Sequence, residues 1–377
     1  IATKLLGRDR SPFLPDAVWH FKHGRHVRID RRDDPLAWQE AANADCPLVT
    51  QWDDGTTDNA ESGIPTCSAS MPSMVEQMLD ACDVRQGHRV LEVGTGTGYT
   101  AALLKDRVGE SGTVVTVEVD PVLADQARGR LAAAGVDAEV HCGDGLEGWP
   151  AGAPYDRVHV TCGIRSIPTA WLAQCPNGTI MLPWSPVGSD ACDHVVALAV
   201  RNGVAVGRFG PEVAFMKART QRTRPWSAWP DTGNAVATTL PIGPTEVDEL
   251  IGVAHGFVLG LLAPELTFRF LRASGDEDEH VWWLERTGVY ASIGFTDDGT
   301  TTVAGDADLI DDCVGAVRWW HDNGRPGPED FGLRVTADGR DARQEIWFDA
   351  PDRRLSSLLS SHRRHRAGRR PEARRPV

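Results

Sequence analysis

The 377-residue chain has no CxxC pair among its eight cysteines, no long apolar run, and no excess of positive charge outside its last 25 residues. Scattered cysteines without ligand spacing exclude a recognisable zinc cluster or redox pair, so no metal is expected and the thiols are read as reduced. No stretch approaches the roughly 20 apolar residues that a bilayer-spanning helix needs. No signal peptide is visible, and a cytoplasmic location is expected. Arg353 to Val377 hold nine arginines, one glutamate and no lysine, a net +8 within a chain of net −14, so the remainder carries −22. An acidic body excludes non-specific nucleic-acid binding, which needs a basic surface. Neither nucleic acid nor membrane is expected as a partner, and a monomer is expected.

What is present is enough for two domains. Apolar residues make up 41% of the chain, which supports a sizeable core without disulfides. Residues 1–70 read as mixed and loop-rich, with a short helix in "WQEAANAD" and a polar loop in "TQWDDGTTDNAESGIPT". From Met71 the pattern changes. "PSMVEQMLDACDV" sets Met74, Met78, Leu79 and Cys82 at helical spacing, and "HRVLEVG" reads as a buried strand. "GTVVTVEVD", "AEVHCGDG", "YDRVHVTCG" and "GTIMLPW" are further strands, separated by helical segments such as "PVLADQARGRLAAAG". Short alternation of strand and helix predicts an α/β fold with a doubly wound, mostly parallel sheet.

Beyond Asp190 the rhythm shifts. Two strands flank an Asn202-Gly203 turn, and "QRTRPWSAWPDTGNA" reads as a linker. A strand meander, a helix ending at Gly324 and a closing hairpin in "FGLRVTADGRDARQEIWFDAP" then predict a smaller C-terminal α+β domain. The expected division is 1–70, a substrate-side segment; 71–216, a cofactor-binding domain; 217–352, the α+β domain; and 353–377, a basic disordered tail.

"VLEVGTGTGYT" carries the chemistry. The dinucleotide fingerprint GxGxxG/A fits Gly94 and Gly96, but Tyr99 occupies its third glycine position and Gly98 falls one residue early. Glu92 sits two residues before the first glycine, where it would repel a pyrophosphate. S-adenosylmethionine has no phosphate and carries a sulfonium and an ammonium group, so the charge pattern favours it. Glu118, ending the next strand, suits the ribose hydroxyls. Asp144, after the third strand in "CGDG", suits the adenine amino group. Three acids at successive strand ends lie where open α/β sheets bind ligands.

The segment from "SMPSMVEQMLDACDVRQGHRVLEVGTGTGYTAALL" through "DGLEGWPAGAPYDRVHVTCGIRSIPTAWLAQCPNGTIMLPW" resembles the protein-L-isoaspartate O-methyltransferase family over about 140 residues, Asp45 to Trp184. "GWP" at Gly148–Pro150, Val160-Thr161, Ile167-Pro168, Leu172, Gln174, Gly178 and "DCPL" at Asp45–Leu48 carry the resemblance. It implies a Rossmann-like class I methyltransferase. It also implies a cofactor set of Glu92, Gly94, Thr95, Gly96, Gly98, Tyr99, Glu118, Val119, Gly143, Asp144, Gly145 and Thr161, with S-adenosylhomocysteine as product. Ser70-Met71-Pro72 keeps the family's Ser-x-Pro, so Ser70 is the expected contact to the substrate carboxylate, with Ser68, Met71 and Cys162 on the substrate side. The bland alternative makes Ser70 the N-cap of the following helix.

Two departures narrow the reading. Leu48 and Ser70 lie 22 positions apart, whereas the family's repair enzymes have only a short glycine-rich loop there, and the chain continues far past the sheet. Both features resemble the branch that acts on ribosomally made peptide natural products (lanthipeptides, lasso peptides and graspetides), methylating an aspartate whose ester closes to aspartimide. A modified precursor peptide is then the expected partner. Repair of isoaspartyl proteins and a catalytically idle scaffold remain the alternatives. A carboxylate with an ordinary pKa of about 3.9 is ionised at neutral pH, so no general base is expected. Cys162 lacks the Pro-Cys context of a nucleophile. His20, His23 and His26 lack a ligand partner, and Trp282-Trp283 and Trp319-Trp320 read as core.

Overall fold

The computed structural model describes residues 7–58, 60–187, 192–223, 233–252, 256–264, 266–272, 279–296, 300–338 and 341–359. The expected disordered tail from 353 is ordered over 353–359, where Leu355 is buried in the core, while its remainder and most of the expected linker lie outside these residues.

The N-terminal segment is less loop-rich than its sequence suggests. It contains β1 (Ala17–Lys22), β2 (Arg25–Asp30), helix α1 (Pro35–Asn43), β3 (Leu48–Trp52) and β4 (Pro65–Ala69), the strands forming an antiparallel sheet in the order β2-β1-β3-β4. The polar stretch after Leu48 supplies the end of β3, a turn and the start of β4. Asp53 closes that turn: its amide donates to the Ile64 carbonyl at 2.8 Å and its carboxylate accepts from the Ile64 amide at 2.9 Å. Strands of five or six residues with polar turns give little periodic signal, which is why they read as loop.

Arg10 fastens this unit. Its guanidinium is buried and donates to the carbonyls of Ala41, Ala42, Ala44, Cys46 and Ser70 at 2.9 to 3.1 Å. It therefore caps the C-terminal end of α1 and ties it to the turn before α2 (Pro72–Ala81). The Asp45 carboxylate accepts from the Ser73 amide at 2.9 Å, and α2 has Met71, not Ser70, at its N-cap. The capping role considered for Ser70 thus falls to Asp45 from the preceding loop.

The alternation that follows is as expected. It runs β5 (Arg89–Val93), α3 (Tyr99–Val108), β6 (Thr113–Glu118), α4 (Pro121–Ala133), β7 (Glu139–Cys142), β8 (Arg157–Val160), α5 (Thr169–Gln174) and β9 (Thr179–Trp184). Apolar residues on both faces of β5 and β6 mark strands covered on each side by helices. Then come β10 (Asp193–Arg201) and β11 (Val204–Val213), joined through Asn202 and Gly203, both at positive φ as a tight hairpin turn requires.

The C-terminal region contains β12 (Val236–Thr238), α6 (Pro244–Gly252), α7 (Phe257–Leu262), β13 (Thr267–Arg272), β14 (Glu279–Arg286), β15 (Val289–Thr296), β16 (Thr301–Gly305) and α8 (Ala307–Asp322). Its sheet is antiparallel, in the order β12-β16-β15-β14-β13. The last hairpin, β17 (Phe331–Asp338) and β18 (Asp341–Phe348), departs from expectation. It does not close the smaller sheet but pairs through β17 with β11, making one sheet of order β18-β17-β11-β10-β9-β8-β5-β6-β7. The edge of β11 needs partners for its amides and carbonyls, and β17 supplies them. A single apolar core contains Leu91, Val158 and Ile180 of the parallel strands together with Trp282, Trp320 and Phe331. The expected boundary near 217 therefore does not separate two cores. No helix among the described residues is long and apolar enough to cross a membrane.

Candidate functional site

The strands β7-β6-β5-β8-β9 run parallel, and the order reverses between β5 and β8. Ligands bind at that switch point, beyond the strands' carboxyl ends. A cavity of about 450 Å³ lies there, reaching from the glycine loop to the Ser70 turn.

The loop after β5 forms its floor. Gly94 sits at φ +93°, and a Cβ there would come within 2.6 Å of Thr161 Oγ1. Only glycine fits that backbone and that approach. Thr161 hydroxyl holds the loop from β8, donating to the carbonyls of Val93 at 3.0 Å and Gly94 at 2.5 Å. Gly94, Thr95, Gly96, Tyr99, Gly145 and Thr161 all line the cavity. Gly98 N-caps α3 and Gly143 donates its amide to the Glu118 carbonyl at 2.9 Å, but neither lines it.

The two acids after β6 and β7 meet the cavity. Glu118 ends β6, is nearly buried, and accepts from the amides of Gly96 at 2.8 Å and Asp120 at 3.1 Å. Burial pushes its carboxyl above the usual range, while those two amide hydrogen bonds oppose the shift. Each oxygen retains acceptor capacity for a diol. Val119 follows on the rim. Asp144 caps the short turn after it by accepting from the Leu146 amide at 2.9 Å, and lines the cavity too.

Glu92 is placed differently. Its side chain is fully buried and does not line the cavity. Oε2 accepts from Thr116 Oγ1 at 2.6 Å, and Thr116 is 2.6 Å from Thr95 Oγ1 in the loop. Burial raises its pKa to about 8, so at neutral pH the group holds its proton. The charge argument built on Glu92 passes to Glu118 and Asp144, which face the cavity. Glu92 instead supports the loop from beneath, through the two threonines.

The opposite wall is the expected substrate side. Ser68, Ser70 and Met71 line it from β4 and the turn into α2. Cys162 also lines the cavity, but burial pushes its thiol up to about 12, which removes it as a thiolate nucleophile at neutral pH.

Sequence reasoning missed the third wall. The segment 212–220 leaves β11 and crosses the cavity, held to the loop after β8 by Gly163 N–H to the Met216 carbonyl at 2.9 Å and Ala218 N–H to the Gly163 carbonyl at 3.0 Å. Lys217 pairs with buried Asp193. Arg219 donates to Asp120 Oδ2 at 3.2 Å and pairs with Asp54 at 3.1 Å, and Arg222 pairs with Asp54 at 2.9 Å. The insertion between β3 and β4 is thereby tied to this segment. The one available signal was "KARTQRTR", a cationic run in an otherwise acidic body.

A glycine loop at the switch point, with two cavity-facing acids at the next strand ends, fits a nucleoside carrying a cationic amino-acid arm. The fold is that of the Rossmann-like class I methyltransferases. The family described as Protein-L-isoaspartate(D-aspartate) O-methyltransferase (PCMT) matches residues 41–222. Protein-L-isoaspartate O-methyltransferase of Fervidobacterium nodosum is 36% identical over 157 residues, covering 41% of this chain and 71% of that protein. The chain belongs to this family. The corresponding protein of Ignicoccus hospitalis is 46% identical over 114 residues, 30% of this chain and 54% of its own length. This chain spans about half the length of that relative and of those from Methanopyrus kandleri, at 52%, and Archaeoglobus fulgidus, at 53%. A solved structure named protein-L-isoaspartate O-methyltransferase aligns over 89% of this chain and 90% of its own at 22% identity and a TM-score of 0.49.

Proposed function

We propose that the chain is an S-adenosylmethionine-dependent O-methyltransferase that esterifies an aspartyl-type carboxylate of a peptide. The observation that carries this reading is the continuity of one cavity between the Glu118–Asp144 side and the Ser70 turn. When bound, S-adenosylmethionine supplies a methyl group activated by its sulfonium. Glu118 holds the ribose hydroxyls and Asp144 the adenine amino group. The Gly94–Gly98 loop lets the backbone approach the amino-acid arm. Ser70 donates its hydroxyl to the acceptor carboxylate and orients one oxygen for in-line attack. Because that carboxylate is already ionised, positioning carries the catalysis and no base is required.

The acceptor is, in this reading, an aspartate of a modified precursor peptide. Support comes from the acceptor wall, which draws on β4 at the end of the insertion and on the segment after β11, tied together at Asp54. A peptide whose shape is already fixed loses less entropy on binding. After esterification, the next residue's backbone nitrogen attacks the ester carbonyl. A C–N bond forms, and methanol leaves with the amide proton to give aspartimide. A second reading, methylation of isoaspartyl residues in damaged proteins, is favoured by the names of the relatives.

Ser70→Ala tests the role of the turn. Turnover falls by about 100-fold or more while S-adenosylmethionine affinity, read by calorimetry, stays within about threefold. Equal loss of both overturns the substrate role.

A further inference from the structure

Three chemistry-bearing side chains outside the proposed catalytic set converge on the β10–β11 hairpin. Cys192 precedes β10 and His194 lies two residues on, so strand alternation puts both on one face. Asp193, between them, points the other way and pairs with Lys217. His194 is the register partner of Glu212 in β11, which brings that carboxylate to the same face. One donor atom from each of Cys192, His194 and Glu212 lies within 4.8 Å of the others.

The imidazole is set up as a ligand. It is 97% buried, since its relative exposure is 3%. Nδ1 lies 2.7 Å from the Gly210 carbonyl, so Nδ1 carries the proton and donates it there. Nε2 is buried and has no hydrogen-bond partner among the described residues. A metal-bound histidine shows this arrangement: one ring N–H held by a backbone carbonyl, the other nitrogen aimed at the ion. The Phe257 ring packs 4.2 Å from the imidazole and keeps water from the ring face, so an idle Nε2 is costly there.

We propose that Cys192, His194 and Glu212 form a binding site for a zinc-class divalent ion at the open end of the β10–β11 hairpin. A thiolate, an imidazole and a carboxylate suit zinc and exclude magnesium or calcium, which take oxygen sets. Tetrahedral zinc holds such donors roughly 3.5 Å apart, so a closure of about 1 Å, within reach of side-chain rotation, completes the shell. The fourth position falls to water. Glu212 also lines the cavity and begins the segment that crosses it, so an ion there fixes the point at which the chain leaves the sheet toward the acceptor wall. The expectation of no metal rested on contiguous spacing. Here the third ligand arrives through strand pairing, 18 residues after His194.

The test uses tag-free full-length protein, dialysed against excess Zn2+ and then against buffer, with metal counted by mass spectrometry and Co2+ as an optical probe. The proposal expects about one zinc per chain, and with Co2+ the d–d bands of a tetrahedral site plus a thiolate-to-cobalt band. Cys192→Ser abolishes the thiolate band, and Glu212→Gln, on an exposed side chain that leaves the core intact, weakens zinc binding by at least about tenfold. Circular dichroism checks that each variant folds. Sub-stoichiometric zinc in the wild type, a thiolate band that survives Cys192→Ser, or unchanged affinity in Glu212→Gln overturns the site. These readouts do not depend on methyl transfer, so they stand apart from the catalytic reading.

Discussion

Glu92, Thr116 and His159 occupy neighbouring register positions on β5, β6 and β8, a polar row through the middle of a buried sheet. Burial raises the Glu92 carboxyl to about 8 and lowers the His159 imidazole to about 4. The signs of the two effects differ. Between roughly pH 4.5 and 8 the native state keeps a proton on Glu92 that the unfolded chain has released, so stability falls as pH rises through that window. Between roughly pH 6.5 and 4 the unfolded chain takes up a proton on its histidine that the native state refuses, so stability falls as pH drops. Urea midpoints at pH 5, 6.5 and 8 read both: Glu92→Gln flattens the alkaline limb, and His159→Leu flattens the acid limb. An unchanged alkaline slope in Glu92→Gln contradicts the buried, protonated state. The motif made Glu92 legible as special, yet not its orientation. A strand covered on both faces shows no apolar alternation, so its phase cannot be read from the sequence.

At the scale of elements, the loop after β5 and the N-terminal sheet set opposite limits on what the sequence reveals. The glycine loop was legible because backbone geometry dictates residue type. Gly94→Ala places a methyl against Thr161 Oγ1 at a positive φ. It is expected to cost about 1–3 kcal/mol of stability and at least tenfold in S-adenosylmethionine affinity, measured by thermal melts and calorimetry. Arg10 was not legible, since nothing in "GRDRSPF" distinguishes an arginine that will reach five carbonyls from a solvated one. Arg10→Ala leaves those acceptors unsatisfied and is expected to destabilise by about 3 kcal/mol. Arg10→Lys does not rescue it, because an ammonium lacks the planar fork. Rescue by lysine in chemical denaturation shows that charge, not the fork, matters.

At the scale of the whole molecule, the β17–β18 hairpin joins what composition alone divides. Local pattern identified the hairpin, but its partner β11 lies over 100 residues earlier, and edge pairing leaves no local mark. The family match ends at 222, yet a chain cut there loses β17 and leaves the shared core open, uncovering side chains such as Val200 and Phe209. Each large apolar group exposed costs roughly 1.5–3 kcal/mol, so the fragment 1–222 is expected to aggregate or melt non-cooperatively. A soluble fragment with a cooperative melt contradicts the shared core. The central claim concerns the cavity itself, and its most direct test is methyl transfer. Labelled S-adenosylmethionine is offered with matched peptides carrying Asp or isoAsp at one site, in linear form and in ring-constrained form. The account predicts cofactor binding and label in the ester of the constrained Asp peptide, chased to methanol as aspartimide forms. Label in the linear isoAsp peptide alone makes the chain a repair enzyme, and no label in any peptide despite cofactor binding contradicts carboxyl methylation as its activity.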